Sequence, residues 1–135
     1  MSPRYLIDAD IFIHIRQRRL AQVRARFDRL QPGEAVISVI VYGELLYGAE
    51  KSTNPSNAKK GIEELITLAA VEPITSEVAH EYGVVRATLE RQGEVIGNND
   101  LWIAAHARAR GLILVTNNER EFKRVPGLKI QNWAV

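Results

Sequence analysis

The stretch that decides the fold is Tyr5-Leu6-Ile7-Asp8-Ala9-Asp10-Ile11. Its first three residues have the length and the aromatic and β-branched character of a short buried strand, and an acid follows at once. Two further runs, Ala35 to Val39 and Leu112 to Val115, have the same character. Val71 to Ile74 is a weaker strand candidate because Pro73 interrupts it. Between these runs the apolar spacing is helical. Leu20, Val23, Phe27 and Leu30 form one stripe, which Gln31-Pro32-Gly33 ends. Helices are also expected over Val39 to Glu50 and Ala58 to Leu68, separated by the polar loop Ser52 to Asn57. Ser76 is the expected N-cap of a helix running to about Gln92, where Gly93 supplies a left-handed end. Asn98 or Asn99 is expected to cap a helix that begins at Asp100 and stops at Gly111. Strands that alternate with helices need crossover connections, which gives an α/β fold with a mainly parallel sheet covered on both faces.

The 135 residues are in the usual range for one domain, expected to span 1–135. There is no cysteine, so disulfides, zinc-thiolate sites and thiol nucleophiles are excluded and a cytoplasmic setting is expected. No apolar run approaches a membrane span, and the residues before Asp8 are too few for a signal-peptide core. The net charge is only +2. The arginines nevertheless cluster, with Arg16, Arg18, Arg19, Arg24, Arg26 and Arg29 in one stretch and Arg120, Lys123 and Arg124 in another. Such clusters suit a polyanion, although a solvated helix face produces the same pattern.

In an open parallel sheet, ligands bind beyond the carboxyl ends of the strands. Asp8 follows the first strand directly, Thr116-Asn117-Asn118 follows Leu112 to Val115, and Glu44 lies about a turn into the helix after Ala35 to Val39. Asp100 opens a helix, and helices of such a fold begin at this same edge. Each acid also has a structural reading: Asp8 or Asp10 as a helix cap, Asp100 as a first-turn acid facing the helix dipole, Glu44 as a solvated residue. Glu44, however, is the one acid in Val39-Ile-Val-Tyr-Gly-Glu-Leu-Leu-Tyr47, and a lone carboxylate on so apolar a helix needs solvent or a partner. Converging acids repel one another unless a cation or protons intervene, and oxygen-only ligands select Mg²⁺ or Mn²⁺.

Taken together, five segments carry a family resemblance. They are Tyr5-Leu-Ile-Asp-Ala-Asp-Ile11, Ile37-Ser-Val39 with Gly43-Glu-Leu-Leu-Tyr-Gly48, Ile96-Gly-Asn-Asn-Asp-Leu-Trp-Ile-Ala-Ala-His106, Leu114-Val-Thr-Asn-Asn-Glu-Arg-Glu-Phe122, and Val125-Pro-Gly-Leu-Lys-Ile-Gln-Asn-Trp133. In this order and at these distances the sequence resembles PIN-domain ribonucleases, and within them the VapC-type toxins of bacterial toxin-antitoxin pairs, over nearly its whole length. The resemblance implies a PIN-like three-layer α/β/α fold with Asp8, Glu44 and Asp100 as the catalytic, metal-binding acids. It also implies Mg²⁺- or Mn²⁺-dependent cleavage of RNA, often tRNA, that halts translation. The implied partners are a VapB-type antitoxin, through which alone DNA is contacted, and a second copy of the chain in a homodimer.

Two positions depart from the family's pattern. The fourth acid of many relatives is Asn118 here, and the usual Asp-x-Asn opening is Asp8-Ala-Asp10, so Asp10 either restores part of the missing charge or caps the next helix. Glu121 and Thr116 are further supporting candidates beside Asn118. Arg16, Arg18, Arg19, Lys123 and Arg124 are candidates to contact RNA phosphates, and Trp102 and Tyr47 to stack on a base. Arg86 suits either a substrate contact or an ion pair. His14, His80 and His106 are too scattered for a metal-free ribonuclease pair. One competing reading takes Asp8-Ala-Asp10 as the nucleophile motif of haloacid-dehalogenase-like phosphatases, which also needs a lysine after a later strand. Another takes the chain as an inactive interaction module of the same fold, with Asn118 as the lesion.

Overall fold

A computed structural model describes residues 2–17 and 20–135 of the chain. Its strands are β1 (Tyr5–Ile7), β2 (Ala35–Ser38), β3 (Ala70–Glu72), β4 (Ile113–Val115) and β5 (Ile130–Gln131). Between them run α1 (Ala9–Gln17), α2 (Ala21–Asp28), α3 (Val39–Lys51), α4 (Pro55–Ile66), α5 (Ser76–Gln92), α6 (Asn98–Arg110) and α7 (Glu119–Phe122). The sheet order is β3-β2-β1-β4-β5 and every pairing is parallel. The chain therefore builds outward from β1 on one side, then returns to lay β4 and β5 on the other. That reversal leaves a crevice at the carboxyl ends of β1 and β4.

Helices cover both faces of the sheet, so the central strands β1, β2 and β4 are almost continuous apolar runs. Leu6, Ile7, Ile37, Leu114 and Val115 are fully buried, and the core extends into the helices through Ile11, Phe12, Ile15, Ile62, Leu89 and Ile103. Of the expected stripe, Val23 and Phe27 are the buried residues of α2, while Leu20 and Leu30 flank that helix and pack on the core. The weak third strand ends at Glu72, before Pro73, as a residue without a ladder donor requires.

Several boundaries differ from expectation for local reasons. The helix expected from Ala58 begins at Pro55, with the Asn54 side chain accepting from Asn57 N, because proline is preorganised for a first turn. Thr75, not Ser76, caps α5, its hydroxyl accepting from Val78 N at 3.3 Å. Gly93 does close α5 with φ of 67°. Helix α6 begins two residues before Asp100, behind Gly97, and neither asparagine caps it, since both side chains are engaged elsewhere.

The C-terminal segment is clasped to the start of the sheet. Trp133 is buried with its ring edge-on to Tyr5 at 5.4 Å and the Arg26 guanidinium 5.1 Å from its centre. Gln131 Oε1 accepts from both Trp133 Nε1 and Arg26 Nη2, each at 3.0 Å.

Candidate active site

Asp8 stands at the first position beyond the central strand. Its backbone N–H continues the ladder to Val115 O at 2.9 Å, and its carbonyl accepts from Phe12 N at 3.0 Å to start α1. One carboxylate oxygen accepts from Ala9 N at 2.9 Å, and the other accepts from the Thr116 hydroxyl at 2.7 Å. Thr116 is fully buried at the end of β4, and its oxygen in turn accepts from Asn118 N at 3.0 Å. The two strand ends on either side of the crevice are thus joined through Asp8. Burial, followed by the Asp10 charge, pushes the Asp8 carboxyl up to about 6, against the opposing pull of Thr116 and Ala9.

Asp10 lies inside the first turn of α1, and its carboxylate accepts from Asn117 N at 3.2 and 3.3 Å. It staples the loop after β4 to α1, while Asp8 occupies the capping position. Burial raises the Asp10 pKa, and Glu44 adds to the rise. Asp10 therefore also contributes charge to the crevice.

Glu44 is carried on α3, which Ser38 starts by accepting from Ile40 N at 3.1 Å. Its carboxylate receives the Asn99 amide at 3.4 Å, a long bond between the α3 and α6 sides of the mouth. Burial is the main cause of its raised pKa, with the Asp8 charge adding to it. Asp100, in the first turn of α6, is hydrogen-bonded to Glu121. Burial, that bond, and the charges of Asp8, Glu121 and Glu44 push Asp100 up to about 8, whereas the bond holds Glu121 below its ordinary value. The shared bond thus shifts the two carboxyls in opposite directions, Asp100 up and Glu121 down. Asn118 donates its side-chain amide to the same Glu121 carboxylate at 3.2 Å.

Asp8, Asp10, Glu44, Asp100 and Glu121 accordingly form one electrostatic cluster, although each is turned toward a protein partner. Among the described residues no three such groups are arranged to hold an ion as they stand. The donor chemistry nevertheless fits a hard divalent cation: the cluster is oxygen-only, and burial and mutual repulsion raise the pKa of Asp8, Asp10, Glu44 and Asp100, a cost that a cation would relieve. Asp8, Asp100 and Glu44 could hold it, with Asp10 and Glu121 as further carboxylates beside them.

The basic candidates separate. Arg124 lies beside the cluster, its charge acting on Glu121 and its Nη1 donating to Val95 O at 3.0 Å. Lys123 is exposed at the end of α7. Arg18 and Arg19 lie outside the described residues, as does the Arg16 side chain. Arg86 donates to Glu90 and to the Tyr82 hydroxyl along the face of α5, the ion-pair reading. His106 is fully buried against Glu72, with Nε2 to Oε1 at 3.0 Å, and Arg110 grips the same carboxylate at 3.0 and 2.7 Å. The residues directly after the other strands are Val39, Pro73, Thr116 and Asn132, so among the described residues no lysine follows a strand where the phosphatase reading needs one. The Asn99 link to Glu44 was not anticipated, because an asparagine just before a helix reads first as a cap.

The chain belongs to the PIN domain family, which matches residues 5–128, and its relatives within that family are VapC proteins. It is 41% identical over 131 residues to the ribonuclease VapC2 of Haemophilus influenzae strain Rd, spanning 97% of this chain and 98% of that protein. It is 42% identical over 131 residues to the tRNA(fMet)-specific endonuclease VapC of Shigella flexneri, with the same coverage. Among solved structures, DNA-bound VapBC from Salmonella typhimurium superposes with a TM-score of 0.92 at 37% identity, covering 98% of this chain and 99% of that one.

Proposed function

We propose that this chain is a Mg²⁺- or Mn²⁺-dependent endoribonuclease toxin that cleaves RNA, with tRNA the substrate, inhibits translation in the cytoplasm, and is neutralised by a VapB-type antitoxin. The observation that carries the reading is the convergence of Asp8, Glu44 and Asp100, with Asp10 and Glu121, at the crevice between β1 and β4. Its support from relatives is that one is named a tRNA(fMet)-specific endonuclease and that a closely superposing structure is a DNA-bound VapBC complex. A homodimer, and DNA contact through the antitoxin alone, complete the proposal.

In this mechanism Asp8 and Asp100 would hold the ion directly, and Glu44 would either bind it or orient a water beside it. A bound divalent cation would lower the pKa of water and neutralise charge building on the phosphodiester. Thr116 fixes the rotamer of Asp8, and Asn118 orients Glu121. Arg124 places a positive charge at the rim of an otherwise acidic crevice, where an RNA phosphate has to approach.

Purified wild type should cleave total tRNA in Mg²⁺ and stop on chelation, while Asp8→Asn, Glu44→Gln and Asp100→Asn lose the activity and relieve growth arrest on expression. If wild type and all three variants are equally inert while folding normally, the interaction-module reading replaces this one.

A further inference from the structure

The face between α3 and α6 holds a cleft of about 350 Å³ lined by Val39, Ile40, Gly43, Glu44, Tyr47 and Asn99. Its position is notable because Glu44 belongs both to this cleft and to the carboxylate cluster, so an occupant of the cleft lies beside the reacting centre. Its walls differ in kind. Val39, Ile40 and Gly43 give an apolar surface, and Asn99 offers an amide already directed toward Glu44. Tyr47 is 64% exposed, a large ring left in water where burial would be favourable. The Lys51 ammonium lies 4.7 Å from the centre of that ring. Among the described residues Lys51 forms no ion pair, whereas the adjacent Glu50 is paired with Lys59.

We infer that this cleft is a nucleotide subsite for the substrate, in which Tyr47 stacks on an unpaired base next to the cleaved bond and Lys51 meets the adjoining phosphate. The inference rests on the nuclease reading above and adds to it where the RNA lies and what it must be: single-stranded or splayed at this point, since a paired base offers no free face. The other aromatic candidate is already engaged, because Trp102 is stacked on Tyr82 with ring centres 3.8 Å apart and planes 15° apart. An exposed ring beside a cation that has no carboxylate partner among the described residues matches a nucleotide's own pairing of base with phosphate, the base taking the ring face that Lys51 leaves open. It also supplies positive charge about two turns along α3 from the Glu44 carboxylate, on the path of a strand that the acids repel.

The test uses the full chain in an Asp8→Asn background, which removes cleavage. Fluorescence anisotropy in Mg²⁺ follows a 5′-labelled single-stranded oligoribonucleotide in each of its four homopolymer versions. Adding Tyr47→Ala should weaken binding about 5- to 100-fold, while Tyr47→Phe, which keeps the ring, stays within about twofold. Lys51→Gln should lower the slope of log affinity against log salt by about 0.7, the contribution of one single-strand phosphate. In the cleaving enzyme, Tyr47→Ala should raise KM far more than it changes kcat. Unchanged affinity in Tyr47→Ala overturns the proposal. So does a loss of affinity that coincides with dissociation of a dimer in sedimentation, which would assign this face to a second copy of the chain. Tyr47-dependent RNA binding by a wild type that cannot cleave would retain the subsite and remove the nuclease reading; cleavage with Tyr47-independent binding would do the reverse.

Discussion

Asn118 donates its side-chain amide to Glu121 at 3.2 Å, and Glu121 is in turn bonded to Asp100. Asn118, which stands where the family resemblance leads one to expect an acid, therefore serves the cluster by directing a carboxylate three residues further along, from α7. Glu121→Gln should weaken Mn²⁺ binding about 10- to 100-fold by isothermal titration calorimetry. Asn118→Asp, which restores a direct acid, should tighten it. Equal affinities in all three proteins would show that Glu121 is not part of the ion's surroundings.

The clustered acids should make the chelated protein less stable as pH rises. The native carboxyl values of about 6 for Asp8 and about 8 for Asp100 lie above the ordinary 3.8. Their stabilising protonation is complete below about pH 4 and is lost as pH rises through 6 and then 8. Asp100→Asn, in chelator at pH 8, should therefore melt on the order of 3–8 °C above wild type, with the gap closing near pH 4. Thermal melts across that range, with and without Mg²⁺, test the sign directly, and an Asp100→Asn protein less stable than wild type at pH 8 would refute it.

The Glu72 site should behave in the opposite sense. The Arg110 bond, followed by that of His106, holds Glu72 below its ordinary 4.5 despite burial. Its contribution is present above pH 4.5 and is lost as pH falls through the lower native value. Glu72→Gln should cost about 1–3 kcal/mol at pH 7 by urea unfolding, and less at pH 3.

Trp133→Ala should destabilise the chain by about 3–5 kcal/mol, because it removes a fully buried ring and leaves the Gln131 carbonyl without one of its two donors. Trp133→Phe should recover much of the packing but not the hydrogen bond. Urea unfolding of the two variants separates these contributions.

The sequence made the chemistry more legible than the boundaries. Asp8, Glu44 and Asp100 could be located because acids directly after apolar runs, or on an otherwise uncharged helix, stand out against period and composition. Strand β5 and helix α7, of two and four residues, are too short to show any period, so nothing in the local pattern marks them. The capping assignments failed where two suitable side chains stand side by side. Between Thr75 and Ser76 the choice depends on backbone angle, whereas Asn98 and Asn99 are both drawn to other partners and leave Gly97 at the cap position. Tertiary partners such as Asn99 with Glu44, 55 positions apart, leave no local trace.

The bond from Thr116 to Asp8 joins residues 108 positions apart, across the place where the strand order reverses. A growing chain can form β1, β2 and β3 in succession as it emerges, yet it has neither the far wall of the crevice nor the hydroxyl that fixes Asp8 until β4 arrives. The order of synthesis thus imposes a delay: the carboxylates are made early and assembled late. A chain truncated before Thr116 would carry Asp8, Glu44 and Asp100 but lack the scaffold that brings them to bear on one point.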